Sequence, residues 1–342
     1  MRAIVYSQTG APSVLQLVER EAAEPGAGEV RVRVVVSGVN PTDWKSRAGA
    51  TGQAPAFPEI VPNQDGAGVV DAVGPGVDTV AVGDRVWMLL SAHGRPTGTA
   101  QELAVVPVDR VVRLPDGASF DLGASLGVPA VTAHRALTVA DGGPTRLAPG
   151  ALEGRTVLVA GGAGAVGHAA IQLARWAGAT VVTTISGPAK AALATAAGAH
   201  HTVDYTAGDA AAAIREIAPG GVDLVVEVAP AMNAPLNQAV IANHGTVAVY
   251  ANNGGDRMEL DVRAHFALNV RYQFLLLYTL TPQALRAATE DITAAAEDGV
   301  LPVGEDAGLP IARFPLERTA EAHAAVEDDF VGKVLIDVSD PA

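Results

Sequence analysis

One segment constrains the fold of this chain more than any other: Val157-Leu158-Val159-Ala160-Gly161-Gly162-Ala163-Gly164-Ala165-Val166-Gly167. An apolar run of strand type, Thr156–Ala160, ends in Gly162-x-Gly164-x-x-Gly167, and helical spacing follows at once over 165–177. The next strand pattern, Thr180–Ile185, completes a βαβ unit. In such a unit Gly162 permits the tight turn, Gly164 lets the backbone approach a pyrophosphate, and Gly167 lets the helix pack on the sheet. The helix start, through Ala163, Ala165 and Val166, offers free N–H groups and partial positive charge to phosphates. The context predicts a dinucleotide-binding unit.

The same rhythm continues downstream. Strand patterns at 222–228 and 246–251 alternate with alanine-rich helical stretches, as in a parallel doubly wound sheet. The strand order is left open by pattern alone. After residue 251 come a strand-like 272–280, a helix from Pro282, a helix over 315–328 and a closing strand over 333–338. The first 110 residues instead read as short strands and turns. Residues 29–37 alternate and then turn fully apolar, 66–82 is rich in Val and Gly, and Val82-Gly83-Asp84-Arg85-Val86 opens another strand. The closing segment is expected to return to this first part, making it discontinuous.

Composition narrows the chemistry. A chain of 342 residues is long enough for about two domains. Its 37 acids against 23 bases leave a net charge of −14, which argues against a large nucleic-acid-binding face. Cysteine is absent, which removes disulfides, thiolate catalysis, iron–sulfur clusters and sulfur-ligated zinc. The histidines form no HExxH, and His200-His201 are adjacent and so share no helix or strand face. The longest apolar region, 266–280, is interrupted by Asn269, Arg271 and Gln273, and the opening 1–6 is too brief for a signal-peptide core. A soluble cytoplasmic protein without nucleic-acid or membrane partners is expected.

The second strand of the βαβ unit bears on which dinucleotide binds. NAD sites place an Asp or Glu at its end to grip the ribose 2′-hydroxyl. Here the chain reads Thr183-Thr184-Ile185-Ser186-Gly187-Pro188-Ala189-Lys190, with no acid. A Ser hydroxyl and a Lys ammonium suit a 2′-phosphate, although Lys190 alone reads equally as a solvated helix lysine. The combination favours NADP.

Ordered blocks along the whole chain now carry a resemblance. They are Gly38-Val39-Asn40-Pro41-Thr42-Asp43-Trp44-Lys45, Gln64-Asp65-Gly66-Ala67-Gly68, Val82-Gly83-Asp84-Arg85-Val86, Gly127-Val128-Pro129-Ala130-Val131-Thr132-Ala133, the glycine motif, and Gly332-Lys333-Val334-Leu335. With them the chain resembles the zinc-independent, zeta-crystallin-like quinone oxidoreductases of the medium-chain dehydrogenase/reductase superfamily. The resemblance implies an α/β protein with a GroES-like β-rich catalytic domain over 1–125 and 281–342. A Rossmann doubly wound parallel-sheet domain over 126–280 would bind NADPH (NADP) in the cleft between the two. Zinc-dependent relatives place a Cys near Asn40-Pro41 and a Gly-His-Glu near Asn63-Gln64-Asp65; both are replaced here.

Site roles implied by the resemblance follow. Asn40 hydrogen-bonds the acceptor carbonyl or the nicotinamide amide, or is merely a turn residue before Pro41. Asp43 shapes the pocket or only caps a turn, and Gln64 lines the pocket. Thr132 lies near the nicotinamide or caps a helix. Tyr205 joins Ser186 and Lys190 at the 2′-phosphate. Tyr250, Ala251 and Asn252 contact the cofactor at the sheet rim, and Phe274, Leu275 and Leu276 touch its nicotinamide half unless they are core. Lys333 reaches the cofactor or is a solvated surface lysine. Trp44-Lys45 stands where some relatives have Tyr, His134 replaces a common aromatic and is expected to pack, and 139–153 is a longer, more polar connector of no evident function. The expected activity is hydride transfer from NADPH to quinones or electron-poor enones, without metal or protein nucleophile. An enoyl or 2-alkenal reductase, or a weakly catalytic NADPH-binding sensor or structural protein, is the alternative. A homodimer or homotetramer is expected through an exposed edge strand.

Overall fold

The structure, a computed structural model, describes residues 1–50, 52 and 54–340. The chain divides into two compact units, Met1–Val128 with Pro310–Ala342, and Pro129–Leu309.

The first unit begins with the antiparallel pair β1 (Arg2–Val5) and β2 (Gln16–Glu19), followed by the long strand β3 (Glu29–Val39) and helix α1 (Pro41–Ala48). Strands β4 (Asp65–Val73), β5 (Arg85–Met88), β6 (Leu103–Pro107) and β7 (Val111–Arg113) follow, and helix α2 (Phe120–Leu137) begins. β3 starts as an alternating strand and ends fully buried, matching the change in its sequence pattern. Its outward Arg31 pairs with Asp71, while Val30, Val32 and Val34 are completely enclosed. Helix α1 starts on Pro41 and stops at Gly49, whose φ of 74° is left-handed and suits glycine. Arg47, on the inner side of α1, is fully buried; it donates to the Gly10 carbonyl at 2.6 Å and pairs with Glu327.

The second unit alternates strand and helix: β8 (Thr156–Ala160), α3 (Ala165–Trp176), β9 (Thr180–Ile185), α4 (Pro188–Ala196), β10 (His201–Asp204) and α5 (Ala210–Ile217). Then come β11 (Val222–Glu227), α6 (Pro230–Val240), β12 (Ile241–Val249), α7 (Val262–Ala267), β13 (Arg271–Phe274) and α8 (Pro282–Glu297). All pairings are parallel, in the order β10-β9-β8-β11-β12-β13. This is the Rossmann order, in which the direction of winding reverses between β8 and β11 and leaves a ligand crevice at their carboxyl ends. Side chains such as Leu158, Val182, Val225 and Val247 fill one face of the sheet.

The chain then returns to the first unit with β14 (Ile311–Pro315), α9 (Thr319–Glu327) and β15 (Lys333–Asp337). β15 pairs antiparallel with β3, and the sheet runs β14-β15-β3-β4-β5-β7, with β6 also on β3. Together these confirm an α/β fold of a GroES-like β-rich unit plus a Rossmann unit.

Of the boundaries that differ from the sequence reading, three bear on the architecture. The strand expected over 272–280 ends at Phe274 and gives way to a turn at Leu277–Thr279. The helix expected from 315 starts at Thr319, because Pro315 still belongs to β14. The second break between units falls at Leu309/Pro310 rather than 280/281. Helix α8 stays with the central unit because buried Asp291 binds back into it. Its carboxylate lies 2.7 Å from His134 Nε2 and accepts the Leu147 N–H at 2.7 Å and Arg146 Nε at 2.7 Å. Burial would push the Asp291 carboxyl up, but these partners hold it at about 2. They also give the polar 139–153 connector a role: it is pinned onto α8, with Asp141 further paired to Arg271. His134 packs and hydrogen-bonds, as expected.

Two other histidines, His323 and His168, are buried without an acidic partner. His323 lies 2.9 Å from Asn63 Oδ1 and is driven down to about 3 by burial and then by Arg47. His168, on the Ala307 carbonyl, is driven down to about 4 by burial. Below about pH 6.5 the unfolded chain protonates these rings while the folded chain does not, so each costs stability as pH falls. The window runs from about 6.5 to each folded value, at up to ~1.4 kcal/mol per pH unit per ring. Between pH 6 and 4, His323→Gln is expected to flatten the pH dependence of unfolding free energy by about one proton's slope. Urea melts across that range check this, and an unchanged slope contradicts it.

Candidate functional site

The chemistry-bearing side chains of the first unit meet where β3 ends, α1 begins and β4 starts. Asn40 is the residue before α1, and its backbone N–H donates to Asp43 Oδ2 at 2.7 Å, one half of a capping box. Its side-chain Nδ2 donates to Asp65 Oδ2 at 2.8 Å, and its Oδ1 accepts from Lys333 Nζ at 2.7 Å. Asp65 also receives the Val128 N–H at 2.9 Å, and Lys333 Nζ stands 3.7 Å from it. Gly127 is required beside it, since a Cβ there would lie 2.1 Å from Asp65 Oδ1. Asp43 takes the Gln64 N–H at 3.1 Å on its other oxygen.

All of these groups are buried, and burial dominates their electrostatics. It pushes the Asp43 carboxyl up, helped by the charge of Asp65 and opposed by the Asn40 N–H and Lys333. It pushes Asp65 up against the pull of Lys333, and pushes the Lys333 ammonium down against the two acids. Lys333 is therefore neither a solvated surface lysine nor a side chain reaching outward: only 2% of it is exposed, and its ammonium is committed to Asn40 and Asp65. Asn40 is more than a turn residue before Pro41, because both ends of its amide are engaged. Asp43 is a helix cap and also faces a cavity.

That cavity, of about 200 Å³, lies within the first unit and is lined by Tyr6, Asp43, Ser46, Phe57, Gln64 and Arg95 among others. Gln64 is nine-tenths buried, and its Oε1 has no hydrogen-bond partner. Arg95 lends one nitrogen to Glu29 at 2.8 Å and keeps Nε unpaired. Tyr6, Asp65 and Arg95 were not picked out as site residues in the sequence. They gather through strand pairing and the return of β15, and no local motif marks them.

In the second unit the glycine motif forms the turn from β8 into α3. Gly161 has a φ of 72°. A Cβ on Gly162 would lie 2.2 Å from Thr183 Oγ1, and one on Gly167 would lie 2.4 Å from the Gly161 carbonyl. Gly164 precedes α3 and is exposed, and a Cβ there would make only an ordinary contact, 3.6 Å from the Gly161 carbonyl. With no side chain to cap them, the N–H groups of Ala165, Val166 and Gly167 stay available at the helix start; Ala163 packs beneath. The turn is thus a cradle of the kind that fits a pyrophosphate.

At the end of β9, Lys190 Nζ donates to Ser186 Oγ at 3.0 Å, so the two residues picked out for a 2′-phosphate are in contact. Tyr205 sits at the end of neighbouring β10, its N–H on the Ile185 carbonyl at 3.1 Å and its ring half exposed. The acid of this corner, Asp204, is spent on its own turn. It accepts the Gly187 N–H at 2.9 Å and both the N–H and hydroxyl of Thr206.

Tyr250 follows β12 with its N–H on the Glu227 carbonyl, and burial followed by the Glu227 charge pushes its phenol up. Ala251 and the exposed Asn252, which bonds Asp256, continue that rim. Thr132 lies half-buried inside α2 and caps nothing. Phe274 and Leu276 are not core: they are 60% and 55% exposed, because β13 is the last strand of its sheet. With Leu275, Arg135 and Ala284 they border an open pocket of about 210 Å³.

Both units match known families. The alcohol dehydrogenase GroES-like domain family matches residues 26–116, and the zinc-binding dehydrogenase family matches 165–294. Among the described residues no group of three or more His, Cys, Asp or Glu could hold a metal ion, and none of their helices is long and apolar enough to cross a membrane. A quinone oxidoreductase of Rattus norvegicus is 31% identical over 340 residues, covering 98% of this chain and 97% of its own. A 2-haloacrylate reductase of Burkholderia sp is 34% identical over 66% of each chain. A solved mycobacterial protein in complex with NADPH superposes with a TM-score of 0.81 at 29% identity, covering 98% of this chain and 99% of that one. This chain belongs to the quinone oxidoreductase family of the medium-chain dehydrogenase/reductase superfamily.

Proposed function

We propose that the protein is an NADPH-dependent reductase of quinones or electron-poor enones. The observation that carries the cofactor choice is the Lys190–Ser186 contact at the end of β9, where an NAD site would present an acid. The rat quinone oxidoreductase and the NADPH complex of the mycobacterial relative support the same reading.

When bound, NADPH supplies hydride. Lys190, Ser186 and Tyr205 hold the 2′-phosphate, while Gly162, Gly164 and the first N–H groups of α3 hold the pyrophosphate. Thr132, Tyr250, Ala251, Asn252 and the Phe274-Leu275-Leu276 segment line the remainder of the dinucleotide site. The cavity beside Asp43 and Gln64 receives the acceptor. Asn40 and Lys333 act one step back, fixing the wall on which Asp43 and Gln64 are held. Orientation of the acceptor is the protein's main contribution, and the proton comes from solvent. The 2-haloacrylate reductase relative favours a second reading, reduction of activated alkenes at the same site.

Purified protein is expected to oxidise NADPH with 1,4-benzoquinone or 9,10-phenanthrenequinone. Turnover of 2-alkenals or 2-haloacrylates alone would select the second reading, and turnover of no quinone or enone would overturn both. Lys190→Ala removes a charged hydrogen bond and is expected to raise the KM for NADPH about 10- to 100-fold while leaving NADH kinetics unchanged. Equal effects on both cofactors would contradict the 2′-phosphate role.

We also propose a dimer through β13, an edge strand with Phe274 exposed and Val262 and Phe266 exposed on the preceding α7. Such an edge pairs readily with its own copy. Light scattering should return twice the mass of one chain; the mass of a single chain would contradict the pairing.

A further inference from the structure

We propose that the Tyr6 hydroxyl is the hydrogen-bond donor to the carbonyl oxygen of the acceptor, which makes Tyr6 an acceptor-binding residue; this rests on the reductase reading above. Tyr6 follows β1 and is clamped by two backbone bonds to Ile60, N–H to carbonyl in each direction at 2.9 Å. Its ring is buried, with 5% exposure, yet its hydroxyl bonds no described residue and the side chain lines the cavity. The ring is enclosed while the O–H opens on the cavity, so a ligand oxygen there can accept from it. Burial, then the charge of Asp43, pushes the phenol up to about 12, so it remains a donor at neutral pH.

The other walls define the occupant. Pro55, Phe57 and Ile60 offer apolar surface for a ring, whereas Asp43 disfavours an anion and the charge of Arg95 is already paired with Glu29. At about 200 Å³ the space is smaller than the ~300–1,000 Å³ typical of larger ligands. An uncharged single-ring quinone or cyclic enone fits this chemistry better than a carboxylate-bearing acrylate.

The test compares wild type with Tyr6→Phe, which keeps the buried ring; equal urea midpoints check folding. Raman difference spectra of bound 2-cyclohexen-1-one, taken in the NADP complex, read the contact without turnover. The carbonyl stretch is expected below its free position in wild type and to move back up in the variant. With NADPH and 1,4-benzoquinone, kcat/KM is expected to fall about 100-fold, mainly in kcat, because the bond strengthens as negative charge grows on the oxygen. NADPH affinity should not change. The proposal is overturned if the carbonyl stretch is the same in both proteins and kcat/KM stays within about two-fold. A Tyr6-dependent carbonyl shift in a protein that reduces no acceptor would overturn the reductase reading and leave the Tyr6 contact standing.

Discussion

Lys333 reaches the first unit from the far end of the sequence, and its ammonium ends on Asn40 Oδ1, 2.7 Å away, with Asp65 beside it. Three groups that would each be costly to bury alone are buried together. The arrangement works because each has further partners: Asp65 the Val128 N–H, Asn40 both ends of its amide, Lys333 two oxygen neighbours. Removing one member strands the others in a low-dielectric interior, a loss of about 3–5 kcal/mol for a buried pair. The network joins the end of β3, the start of β4, α2 and β15, so it ties the returning C-terminal segment to the earlier sheet. It also sets the cavity wall. The Asn40 N–H fixes one oxygen of Asp43 and the Gln64 N–H fixes the other, so the Asp43 carboxylate is held at the cavity.

The Rossmann unit depends on closeness rather than charge. Gly162 and Gly167 let β8, Thr183 of β9 and α3 approach to distances at which any Cβ would collide. Gly164, the residue before α3, has no side chain to cap the helix start and leaves it open to an anion. Across the sheet, Lys190 meets Ser186 because they are four residues apart on the turn into α4. Asp204, whose charge would oppose a phosphate, is held by Gly187 and Thr206.

Much of this was legible beforehand. The strands Thr156–Ala160 and Thr180–Ile185 have the residue limits read from their apolar runs, because buried parallel strands are continuously hydrophobic. The glycine turn was readable, and Ser186 and Lys190 could be singled out together, because these residues are close in sequence. Phe274 to Leu276 was not: an apolar triplet looks the same in a core and on an edge strand, and position in the sheet decides. Lys333 was ambiguous for the same reason, since a lysine in a strand shows no sign of the acid it meets. Thr132 looked equally able to start a helix, but α2 continues through Pro129 and places it in the interior of the helix.

The sequence by itself determined the two classes of unit, the dinucleotide turn, the absence of thiol chemistry and the family resemblance. Each of these resides in composition or in neighbours along the chain. Tertiary structure alone decided that Lys333, Asn40 and Asp65 share one buried network, that Tyr6 and Gln64 face one cavity, and that α8 stays with the central unit. These depend on contacts between residues distant in sequence, 293 positions for Asn40 and Lys333, which sheet register and burial bring together and no local pattern encodes.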